Sequence, residues 1–297
     1  MRRIGTRTRV MALAMMAVAV IIIVITVPRV PALKVATTSS LYDTGLWGQL
    51  EPMFEGQYGV KLQIFYAGTG IALEYGKRGD VDAVVIHDRA REEQFVAEGH
   101  GVERVPFAYN YFLIIGPEDD PAGIRGLEPE VAFRKLMEKG TQEPDRVIFV
   151  SRGDDSGTHA REKAIWDAAG FEYHEVRGSS WSQARDGYIE AARGMGPTLL
   201  MANEKGAYTL TDNGTFLTHE GNLELVPIVD TGAVLLNVYS VIAVNPEKHS
   251  GADAEVAGHL VALLTSPEVQ DLIASYGVAD YGVSLFIPCA GAEPEGW

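Results

Sequence analysis

From residue 33 onward, short apolar runs alternate with amphipathic stretches, and that order leaves few architectures open. LKVA (33–36), KLQIFYA (61–67), VDAVVIH (81–87), YNYFLIIGP (109–117), RVIFVS (146–151), LELVPIV (223–229) and NVYSVIAVNP (237–246) have the length and β-branched content of strands. Between them, residues 41–56, 71–79, 89–98, 129–139 and 159–170 read as helices, followed by helices at 182–193, 198–210, 252–265 and 267–276. Strands alternating with helices predict an α/β fold. The apolar runs at 109–116 and 237–244 are placed to carry the chain from one lobe to a second and back. The expected division is 32–108 plus 236–297 for lobe 1 and 109–235 for lobe 2, with a cleft between them.

The N-terminus is a separate matter. Arg2, Arg3, Arg7 and Arg9 precede an 18-residue apolar run from Val10 to Val27. A basic segment before such a run is an export signal, and this one is also long enough to anchor in a bilayer if left uncleaved. Residues 1–31 are therefore expected to be a signal peptide or membrane anchor, and the rest of the chain to be exported. Beyond that leader the chain holds 20 basic and 40 acidic side chains. Such acidity argues against nucleic acid, whose phosphates require lysine and arginine. Any anion site must then work through local dipoles against the field of the whole protein. Cys289 is the sole cysteine, so no internal disulfide can form.

Three times a strand ends in a Ser/Thr/Gly loop that opens a helix: KVATTSSLYD (34–43), FYAGTGIAL (65–73) and FVSRGDDSGTHARE (149–162). Each loop taken alone is a helix cap, and Ser40 with Asp43 has the spacing of a capping box. Taken together they offer more. The first turn of a helix leaves free N–H groups and a partial positive charge. Gly68, Gly70 and Gly157 let the backbone approach a ligand, and Thr38, Ser39, Ser40, Thr69, Ser156 and Thr158 add neutral donors. In open α/β sheets ligands sit at the carboxyl ends of strands, where all three corners lie.

Competing motifs fail on spacing. The chain has no P-loop, and AGTGIAL lacks the third glycine of a dinucleotide fingerprint. A nucleophile elbow needs glycine where Asp154 stands. His159 lies three residues after Ser156, which leaves a Ser–His dyad, and with it a secreted serine hydrolase, as a distant alternative. Arg152-Gly153-Asp154 is a coincidental adhesion triplet. His87-Asp88 has no other ligand at metal spacing and reads as a hydrogen-bonded strand end.

Several segments, in order, resemble the TupA family, the tungstate-binding component of tungstate ABC transporters. They are ATTSSLYDTGL, AGTGIAL, GDVDAVVIHDRAREEQFVAEG, SRGDDSGTHAREKAIW, GMGPTLLMANEKGAYTLTDNGTF and YGVSLFIP. The resemblance implies a type II periplasmic-binding-protein fold with two α/β lobes closing on one oxyanion, tungstate or molybdate. It implies an ABC permease as partner, a monomer, no catalysis, no cofactor and no free metal cation. The implied ligand-binding positions are Thr38, Ser39, Ser40, Thr69, Arg152, Ser156 and Thr158, with backbone N–H groups around Gly70 and Gly157. Ser39 and Leu41 stand where the family usually has Thr, Ile71 where it has Gln, and Tyr111 where it tends to have Asp.

The third loop also matches R-x-D-x-S-G-T, the pattern of phosphate-binding transport proteins, so phosphate or sulfate capture is the nearer alternative. In that pattern the aspartate accepts the proton of hydrogenphosphate. Tungstate and molybdate carry no proton at neutral pH, and a carboxylate facing them would repel. For those ligands Asp154 is expected to turn away and pair with Arg152 or backbone N–H groups.

Overall fold

The computed structural model describes residues 31–294, so the expected leader helix lies outside the described residues. Among the described residues, no helix is long and apolar enough to cross a membrane. The described residues form ten strands: β1 (Ala32–Thr38), β2 (Lys61–Ala67), β3 (Ala83–Ile86), β4 (Gly101–Gly116), β5 (Phe149–Ser151), β6 (Tyr188–Glu190), β7 (Thr209–Asp212), β8 (Val226–Val229), β9 (Leu236–Val244) and β10 (Ile287–Pro288). The main sheet runs β10-β4-β9-β3-β1-β2, parallel across β2, β1 and β3 and antiparallel from β3 to β9 and β4. It is an α/β sheet of mixed direction, antiparallel wherever β4 and β9 take part. Central strands such as β3 are apolar throughout because helices cover both faces.

β4 is the element that both halves of the molecule share. Its first part pairs with β9 and β10, and its last residues, from Phe112 on, pair with β7 and β8. The apolar cores follow the same split. Leu33, Phe54, Val85, Phe107, Tyr239 and Phe286 belong to one buried cluster, with Ala36, Val84, Phe95 and Ile242 in an adjoining one. Phe112, Phe133, Phe149, Trp166, Trp181 and Tyr208 pack in another, and Ile115, Val150, Leu199 and Phe216 in a fourth. The half-buried Leu217 touches one cluster of each half.

Three sequence expectations change. The segment 41–56 is not one helix: Ser39–Asp43 and Trp47–Tyr58 are separated by a turn in which Gly45 takes a positive φ of 79°. The helix expected over 182–193 is absent. Ser180–Gln183 forms one turn, and Tyr188–Glu190 pairs in parallel with β5. Gly187 lies so close to Trp181 that a side chain there would collide with its carbonyl. The expected 198–210 helix spans Met195–Lys205 and yields to β7, whose four residues are too short to display an alternation.

Candidate functional site

The three corners converge where the two halves meet. β1 delivers Thr38 as N-cap of the Ser39–Asp43 helix, its hydroxyl accepting from Leu41 N at 3.4 Å. Ser39 is half-buried and Ser40 buried. Ser40 Oγ lies 3.2 Å from His87 Nε2, and His87 Nδ1 lies 2.8 Å from Asn237 Oδ1. Asn237 Nδ2 donates to Asn110 Oδ1 and to the Tyr239 hydroxyl. That pattern orients the Asn237 amide, makes His87 Nδ1 the donor, and leaves Nε2 to accept the Ser40 hydroxyl hydrogen. Burial holds the His87 ring below its ordinary pKa, hence neutral. The Ser40 hydroxyl is therefore engaged within the protein.

The second corner opens the Thr69–Arg78 helix. Gly68 is its N-cap and no side chain caps the first turn. Thr69 is fully buried, yet its Oγ1 has no hydrogen-bond partner. The third corner follows β5. Gly153 and Asp155 both adopt φ of 58°, folding the loop back on itself before the Gly157–Ala168 helix begins. A side chain at Gly153 would strike Glu190. Ser156 is the N-cap and accepts from His159 N at 3.2 Å. Thr158 is buried with an unpartnered Oγ1, as Thr69 is.

Arg152 is 3% exposed and pairs with Asp154 through Nε at 3.1 Å and through Nη2. The other Asp154 oxygen accepts from Ser156 N at 3.2 Å. Both carboxylate oxygens are thus engaged within the loop, the pairing expected beside a protonless dianion. The serine–histidine dyad does not form. Ser156 Oγ bonds the backbone of His159, while the ring accepts from Asp155 N at 3.1 Å and meets the Tyr173 hydroxyl at 2.8 Å. Burial, reinforced by the nearby Lys163 charge, pushes the His159 pKa down to about 4.

The corners also touch one another. A Cβ on Gly157 would come within 2.8 Å of the His87 ring, and one on Gly70 within 2.9 Å of Asp155 Oδ2. A cavity of about 480 Å³, lined in part by Gly68, Gly70, Asp154 and Asp155, opens beside this contact. His87 and Asp88 play the hydrogen-bonding role expected of them, Asp88 capping the Arg89–Ala97 helix by accepting from Arg91 N. Sequence reasoning missed Arg91, which reaches the third loop, and the buried Asn110 and Asn237. Two asparagines inside apolar strand runs were the available signal for the latter pair.

Helix N-termini from both halves thus lie together with one buried arginine. Residues 26–268 match the PBP superfamily domain, the periplasmic-binding-protein superfamily, to which this chain belongs. Within it the chain belongs to the TupA family. It is 39% identical over 259 residues to the tungstate-binding protein TupA of Peptoclostridium acidaminophilum, covering 86% of this chain and 85% of that one. The TupA structure from Desulfovibrio alaskensis superposes with a TM-score of 0.73 at 36% identity, covering 88% of this chain and 99% of that one. The tungstate ABC transporter structure from Geobacter sulfurreducens gives 0.70 at 40% identity, with coverages of 82% and 98%.

Proposed function

We propose that this chain is an exported solute-binding protein of type II architecture that captures tungstate, or molybdate, and passes it to an ABC permease. Two lobes, 32–108 with 236–297 and 109–235, close on the dianion and replace its water shell with fixed donors. The ligand-binding set is Thr38, Ser39, Ser40, Thr69, Gly70, Arg152, Ser156, Gly157 and Thr158, with Ser40 acting through its backbone. The protein acts as a monomer, catalyses nothing, and is tethered to the membrane by its N-terminal segment wherever that segment is kept.

One observation carries this reading: the buried hydroxyls of Thr69 and Thr158, one from each half, have no partner in the protein. A buried donor left unpaired is costly, so one near the start of each of these two helices, whose loops touch across the halves, supports an acceptor there. The donors are dipoles plus a single guanidinium, itself half-neutralised by Asp154, which suits a dianion that needs many donors and no proton acceptor. The likeness to TupA proteins supports tungstate over phosphate or sulfate. Calorimetric titration with tungstate, molybdate, sulfate and phosphate tests the assignment. Tight tungstate binding with weak phosphate binding is expected, and the reverse order would overturn it.

A further inference from the structure

Arg91 crosses from one half of the molecule to the other. It is the third residue of the Arg89–Ala97 helix, just after β3. Asp88 aims it: Nε donates to Asp88 Oδ2 at 2.6 Å while the same carboxylate accepts from Arg91 N. The outer nitrogens then reach the third loop. Nη1 donates to Asp155 Oδ2 at 3.1 Å, and Nη2 donates to the carbonyls of Asp155 at 3.2 Å and Ser156 at 3.4 Å.

Those two carbonyls matter because of the peptide groups they belong to. A trans peptide points its carbonyl and its N–H in opposite directions. The Asp155 carbonyl shares a peptide with Ser156 N–H, which goes to Asp154, and the Ser156 carbonyl shares one with Gly157 N–H, which opens the helix. A cation on the carbonyl side fixes the plane of each peptide and polarises its N–H. Asp155 completes the arrangement. Its left-handed conformation sets its carbonyl and carboxylate on one guanidinium, and Oδ2 lies over Gly70 at the uncapped start of the Thr69–Arg78 helix.

We propose that Arg91 is a clasp: a positioning residue on one lobe that seizes the anion-binding loop of the other and thereby sets how long the oxyanion is held. This rests on the oxyanion-binding reading above. The clasp adds no contact to the anion; it stabilises the closed arrangement in which both sets of donors face it. The apparent affinity of a ligand scales with the fraction of protein in its competent state, so a weakened clasp shows as faster release.

Tungstate binding to the full protein is measured by calorimetry, and release by stopped-flow displacement, for the wild type and four variants. Charge-assisted bonds are the strong ones, so Arg91→Ala should weaken binding by about tenfold or more, chiefly in the release rate. Arg91→Lys should fall between, because one ammonium cannot span Asp88 and the three acceptors of the loop. Asp155→Asn keeps both carbonyls and loses only exposed ion pairs, with Arg91 and with Lys163, so about threefold or less is expected. Arg146→Ala removes an equal, exposed charge from before the start of β5, whose other end carries the loop, and should bind as the wild type does. An Arg91→Ala protein with wild-type affinity and release rate sinks the clasp. So does a loss confined to the association rate, or one matched by Arg146→Ala, because either is a field effect. A lowered unfolding temperature with unchanged release would leave Arg91 as a brace for its own helix and nothing more. If the wild type binds none of the four oxyanions, the functional reading falls and the clasp with it, an outcome distinct from the others.

Discussion

Ser40 Oγ lies 3.2 Å from His87 Nε2 and 3.4 Å from Thr38 Oγ1, so the hydroxyl is engaged within the protein. Ser40→Ala should therefore cost stability more than affinity. It strands a buried acceptor, a loss of about 1–3 kcal/mol by thermal or denaturant unfolding, while the backbone N–H proposed for the anion survives. Tungstate affinity should stay within about threefold of the wild type, and a much larger loss would put the hydroxyl back on the ligand.

Thr69 and Thr158 should behave in the opposite way. Each hydroxyl is buried without a partner, so Thr69→Val or Thr158→Val should leave the ligand-free protein as stable or more stable. Each should nonetheless weaken tungstate binding by about fivefold or more, roughly 1 kcal/mol for a lost donor. Paired unfolding and titration measurements check both halves; a variant that loses stability while keeping its affinity contradicts the role.

Arg152→Ala should weaken oxyanion binding at least tenfold, about 1.4 kcal/mol. The same substitution frees Asp154, leaving an unpaired carboxylate beside the site, so the loss should be larger for a dianion than for a monoanion such as perrhenate. Competition titration distinguishes the two ligands.

Gly157→Ala is a steric test of how closely the halves approach. Its backbone does not need glycine, but the added Cβ would meet His87 Cε1 at 2.8 Å. Affinity should fall by about tenfold or more while unfolding in the absence of ligand changes little, because the collision acts on closure. Wild-type affinity would mean that the two loops do not close to this distance.

The His159 ring should titrate near pH 4 rather than near its ordinary 6.5, which NMR of the imidazole protons can follow. The depressed value means that keeping the ring neutral stabilises the fold above about pH 6.5. That contribution drains away as the pH falls from 6.5 toward 4, since the unfolded chain takes up the proton first. The buried Glu162 acts with the reverse sign: burial pushes its carboxyl up to about 7, so its protonation favours the fold as pH drops below that value. A His159 midpoint above 6 would overturn the neutral assignment.

The apolar runs of β1, β2 and β3 and the amphipathic helices after them were legible because burial on one or both faces leaves a periodic trace. The corners were legible because Thr38, Ser156 and their glycines have strong local preferences at helix starts. β6 was not, since three residues carry no period and Tyr188 is held by tertiary packing against Trp181. Arg91 was illegible for a different reason. Its partners lie 64 and 65 residues further along, and RAREEQFVAE reads fully as a solvated helix without them. Local propensity can announce a donor-rich loop; it cannot announce the side chain that arrives from elsewhere to hold it.

The strand shared by both halves also governs how the protein comes apart. Because β4 runs unbroken from Gly101 to Gly116, with partners from each half, neither core can melt without exposing a backbone edge of the other. Heat or denaturant should consequently produce a single cooperative transition, and the amides of Ile114 and Ile115 should be among the last to exchange with solvent.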